Sequence, residues 1–92
     1  MPRFLVEVPH EAEPAACARA AKVLLEIGSH WVTNADFGCM DGEHRAWIIL
    51  EGESKTEVRN MLPPVFRSVA RVVGLNKFTL AQMEQMLKAH QA

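Results

Sequence analysis

Cys39 and His44 stand on either side of an Asp41-Gly42 turn, so a hairpin there would bring a thiolate against an imidazole. With Asp41 or Glu43 beside them, these are ligand types that suit zinc or nickel. The same pair is a candidate nucleophile and base, although nothing nearby in the sequence orients the imidazole. No second close Cys or His recurs at metal-ligand spacing, so a surface turn with an idle thiol is the competing reading. His10 and His90 are expected in solvent, and Cys17, on an alanine-rich apolar stripe, is expected to be an inert core thiol.

A second set of residues could move protons. Glu7 and Asp36 are candidate general bases, and His30 supplies an imidazole, the side chain best suited to proton exchange near pH 7. Arg45 can hold a substrate carboxylate through two parallel hydrogen bonds. Such a set fits isomerisation of a small anionic or aromatic compound without a cofactor, and none is expected. The plain alternative is a cross-strand Glu7–Arg45 ion pair that steadies a sheet and does no chemistry.

These residues need elements to hold them. Arg3 to Val8 alternates as a strand, with Phe4, Val6 and Val8 on one side and Leu5 and Glu7 on the other. Pro14 opens a helix whose buried stripe is Cys17, Ala20, Ala21, Leu24 and Ile27, with Gly28 as its stop. His30 to Cys39 reads as a second strand and His44 to Glu51 as a third, joined through Met40-Asp41-Gly42-Glu43. Ser54-Lys55-Thr56-Glu57 is a capping box that starts a second helix, which Pro63-Pro64 ends. Ser68 to Lys77 reads mostly as a fourth strand, with a helical start near Val65 to Val69 as the competing assignment. Thr79-Leu80-Ala81-Gln82 is another capping box, opening a C-terminal helix over about 79–90.

Ninety-two residues make one domain, 1–92. Apolar residues are 49% of the chain and charged ones 23%, a globular balance. The net charge of −1 supplies no basic field for a phosphate backbone, so nucleic acid is not an expected partner. No segment approaches the roughly 20 apolar residues of a membrane span, so none is expected. Two cysteines are few for a secreted domain of this size, which favours free thiols in a reducing cytoplasm.

The order β-α-β-β-α-β predicts an α+β, ferredoxin-like antiparallel sheet with helices on one face and an added C-terminal helix. The opposite face would carry Leu5, Trp47, Ile49 and Val32, a patch too apolar to stay wet. A homodimer is therefore expected. A half-polar space between the sheet and its cover, lined by Leu5, Asn34, Trp47 and Ile49, would make a small-molecule pocket.

The strand Phe4-Leu5-Val6-Glu7-Val8 and the run from His44 to Glu51 into a capped helix resemble the dimeric α+β barrel superfamily. Within it the chain looks most like small bacterial proteins of the muconolactone-isomerase-like kind and their uncharacterised relatives. The resemblance implies a dimer and admits cofactor-free isomerases, monooxygenases, metal binders and proteins without known activity. It transfers no catalytic residue. The leading expectation is a ligand-binding or interaction module, with a cofactor-independent isomerase and a metal-binding protein as alternatives.

Overall fold

An alternating segment and a continuous apolar run build the two central strands, β1 (Arg3–Pro9) and β3 (Arg45–Glu51), in a computed structural model that describes residues 1–26 and 34–90. Both strands bury every second side chain, as expected where only one face is covered. β4 (Arg71–Leu75) flanks β1 and the short β2 (Asp36–Phe37) flanks β3, giving the order β2-β3-β1-β4 with every pairing antiparallel. The protein is thus α+β, with one four-stranded sheet. Among the described residues its helices are α1 (Pro14–Glu26), α2 (Lys55–Asn60), α3 (Pro64–Arg67) and α4 (Leu80–Ala89).

The core is one cluster. Phe4, Val6 and Val8 of β1 and Ala46, Ile48 and Leu50 of β3 meet Ala20 and Leu24 of α1, with Val58, Leu62 and Phe66 closing the far side. On α1 the buried positions are Ala16, Ala20 and Leu24, while Cys17 and Ala21 are half-buried. The small alanines let the helix approach the sheet closely.

Local signals account for most helix starts. The Glu57 N–H donates to Ser54 Oγ at 3.1 Å, capping α2. Thr79 forms a complete capping box with Gln82, through bonds of 2.8 and 3.1 Å. Two expected strands are shorter than their sequence suggested. Among the described residues of the expected second strand, Asp36–Phe37 pair as a strand, which ends there because the chain turns at Gly38 into a 3-10 turn, Cys39–Asp41. His30, Trp31, Val32 and Thr33 of that strand lie outside the described residues, as do Ile27 and Gly28. The fourth strand starts late, at Arg71. Pro64 has a backbone suited to a first helical turn, so it opens α3 after α2 has ended.

The α2–α3 corner is tied by two arginines. Arg59 Nη1 donates to the carbonyls of Arg67 at 2.6 Å and Ala70 at 2.7 Å, and Arg67 donates to those of Leu62 and Asn60 at 2.9 and 3.0 Å. Charge-assisted bonds of this kind contribute roughly 1.5–3 kcal/mol. Arg59→Ala is therefore expected to destabilise the fold by about 2 kcal/mol. Urea unfolding should show this as a lower midpoint with an unchanged slope; an unchanged midpoint would mean that solvent replaces both bonds at no cost.

Candidate metal centre

The β1–β3 register carries past the sheet. Pro9 is paired with Arg45, and the next N–H, that of His10, donates to the carbonyl of His44 at 3.1 Å. Two histidines thus leave the same end of the two central strands. Their rings approach edge to face, with centroids 5.8 Å apart and planes at 71°.

The other two members come from neighbouring turns. Cys17 sits in the first turn of α1, where its N–H donates to the Glu13 carbonyl at 3.1 Å. Cys39 opens the 3-10 turn that Gly42 closes with a φ of +83°. Gly38, just before it, has no room for a side chain. A Cβ there would come within 2.7 Å of the Trp47 ring and 2.9 Å of the Glu43 carbonyl oxygen. The turn can therefore fold tightly over the indole and present Cys39 towards α1.

Cys17 and Cys39 are joined by a disulfide, with Cα atoms 6.6 Å apart. This corrects the expectation of free thiols, and of Cys17 as an inert core thiol: the crossing of α1 brings it over the 3-10 turn, 22 positions away in the chain. His10, expected in solvent, is half-buried, and its Nε2 lies 3.0 Å from Cys39 Sγ. One imidazole nitrogen of His10 and both sulfurs all fall within 4.8 Å of one another.

The tautomer of His10 is set by its other nitrogen. Nδ1 lies 2.9 Å from the Glu11 carbonyl oxygen, which can only accept, so Nδ1 carries the hydrogen. In the neutral ring Nε2 is then a bare lone pair aimed at the sulfur. Metal-binding histidines are commonly oriented in this way, by donating their second nitrogen to a carbonyl.

His44 lies outside the group of three atoms but shares a recess with the two cysteines. With Glu13, Cys17, Cys39 and Met40 it lines a cavity of about 370 Å³. Its Nδ1 is buried and has no hydrogen-bond partner among the described residues. Burying a polar nitrogen without a partner costs roughly 1–3 kcal/mol, so an unfilled valence here needs an explanation.

The proton-transfer set is arranged differently. Leu5, Asn34, Asp36, Trp47 and Ile49 line one recess of about 280 Å³ on the uncovered sheet face. Glu7 is on the same face and already engaged: Trp47 Nε1 donates to its Oε1 at 3.3 Å, and Arg45 Nε lies 3.5 Å from the same atom. Arg45 also reaches Glu43, at 3.7 Å. Asp36 sits opposite Trp47 across the β2–β3 pairing and is exposed. His30 lies outside the described residues.

Sequence reading missed His10 and Cys17. Their spacing from Cys39 carries no motif, but one signal was present for His10. Once Val6 is paired with Ile48, position 10 must fall opposite position 44.

No family model, curated protein or solved structure matches this chain. No helix among the described residues is long and apolar enough to cross a membrane.

Proposed function

We propose that the protein binds one transition-metal ion, zinc before nickel, through Cys17, Cys39 and His10, with His44 as the fourth ligand after a rotation of its ring. The observation that carries this is the convergence of His10 Nε2 and both sulfurs within 4.8 Å, with Nδ1 of His10 already tied to a carbonyl. Two sulfurs and two nitrogens in a tetrahedron suit zinc.

The disulfide is the metal-free oxidised form in this reading. Tetrahedral zinc, with Zn–S bonds of about 2.3 Å, holds its sulfurs ~3.8 Å apart, so metal and S–S bond exclude each other. An external dithiol supplies two electrons and two protons, becoming a disulfide itself and leaving two thiols on the protein. Metal entry then releases both protons. A reducing compartment such as the cytoplasm would keep the centre in its metal-binding form.

The test is equilibrium dialysis of reduced protein against zinc and against nickel, followed by cobalt substitution. One metal per chain and a thiolate-to-cobalt charge-transfer band are expected, with Cys39→Ser losing both. Reduced protein that retains no metal would end this reading.

A second reading is a small-molecule-binding or interaction module on the uncovered sheet face, supported by the recess that Leu5, Asn34, Asp36, Trp47 and Ile49 share. It takes the order β2-β3-β1-β4 as the ferredoxin-like arrangement of a dimeric α+β barrel. A cofactor-independent isomerase on this face would first have to release Glu7 from Trp47 and Arg45 before the carboxylate could take a proton.

A further inference from the structure

Residues 76–90 project as an arm. α4 buries none of its residues, and Phe78, Leu80 and Leu87 are 61%, 75% and 64% exposed. At 100° per residue, Leu80, Met83, Met86 and Leu87 fall within about 120° of the helix surface, the width of a buried stripe. A ten-residue helix is marginal alone in water, so an apolar stripe of this kind needs a surface to lie on. The chain's dimensions agree. Its radius of gyration is 16.5 Å and its longest extent 53 Å, whereas compact packing of a chain this long gives a radius of about 12 Å.

The sheet presents the matching surface. On its uncovered face Val73, Leu5 and Ile49 form a row across three strands, with Leu75 on one side of that row and Trp47 on the other. Ile49 is 54% exposed. The arm leaves the sheet from Leu75, at the edge of this apolar band.

We propose that α4 of each copy lies across the uncovered sheet face of a second copy, in a two-fold dimer with exchanged arms. The occupant is another copy because one chain carries both halves of the interface, and among the described residues neither half is fully covered. A two-fold exchange buries both halves at once and leaves no open end. Leu5, Trp47, Val73, Leu75 and Met83 are already half-buried, so the exposed Phe78, Leu80, Met86, Leu87 and Ile49 supply most of the new burial, about 300–600 Å² per protomer at roughly 60–120 Å² each. With the remainder from the half-buried side chains this approaches the ~600 Å² per partner at the low end of specific interfaces. This inference is independent of the metal reading and is tested on oxidised, metal-free protein.

The experiment is sedimentation equilibrium on the full chain from about 1 to 100 μM, a range that brackets typical micromolar association. The wild type is compared with Leu80→Asp/Leu87→Asp and with Ile49→Asp. The arm variant changes a helix that buries nothing in its own chain, so its folding is not at stake, and circular dichroism checks that of Ile49→Asp. A wild-type dimer is expected, with each variant weakening association at least 100-fold. A wild-type monomer would overturn the proposal, whether the arm folds back on its own sheet or serves a different protein. A dimer weakened by Ile49→Asp but not by the arm variant would overturn it too, since that is a sheet-to-sheet dimer without exchange.

Discussion

Reduction of the Cys17–Cys39 disulfide in the absence of metal is expected to lower the thermal unfolding midpoint by about 12–24 °C. The bond spans 22 positions, and closing a loop of that size restricts the unfolded chain by roughly 3 kcal/mol. A small domain has about 5 kcal/mol of stability in total, so the loss is a large share. Each kcal/mol shifts the midpoint of a domain this size by roughly 4–8 °C. Adding zinc to the reduced protein should reverse most of the loss, because a ligand at about 100 times its dissociation constant stabilises the folded state by about 2.7 kcal/mol. Melting curves of oxidised, reduced and reduced-plus-zinc protein make the comparison. Three coincident curves would show that the sulfurs neither close a loop nor hold a metal.

The second large effect separates the two histidines. His10→Ala removes a nitrogen already placed beside both sulfurs and oriented by the Glu11 carbonyl. Its zinc affinity, measured by competition with a chromophoric chelator, should fall more than 100-fold, beyond the 10–100-fold typical of losing a mere supporting partner. His44→Ala should fall less, roughly 10–100-fold, because the ring must turn before it ligates and water can take its place. The cobalt spectrum of His44→Ala should keep its thiolate band and change in the ligand-field region. Undiminished zinc affinity in His10→Ala would remove this histidine from the centre and leave at most Cys17, Cys39 and His44, without the convergence on which the metal reading rests.

The early end of the expected second strand has a specific cause. Alternation over His30 to Cys39 promised a strand running to Cys39, but Gly38, against Trp47 and Glu43, ends the pairing after Phe37 and opens the 3-10 turn; positions 30–33 lie outside the described residues. Pro64 misled in the same way: a residue that ends one helix can also begin the next, and only the α2–α3 corner, tied by Arg59 and Arg67, shows which role it takes. The uncovered sheet face was easier to read. Leu5, Trp47 and Ile49 follow from a period of two, which needs no knowledge of distant residues.

What the amino-acid order determined by itself was local: β1 by alternation, β3 by its continuous apolar run, the onset of α1 at Pro14, and the starts of α2 and α4 at Ser54 and Thr79. Those signals act within one turn or one strand repeat, where sterics and capping bonds decide the outcome. The meeting of His10, Cys17, Cys39 and His44 was decided only in three dimensions. It depends on the β1–β3 register, which sets position 10 opposite position 44, and on the crossing of α1, which lays position 17 over position 39. Neither leaves a mark in the neighbouring sequence, because long-range pairing is enforced by burial of Val6, Ile48 and Leu24 in a common core and not by the residues that share the site.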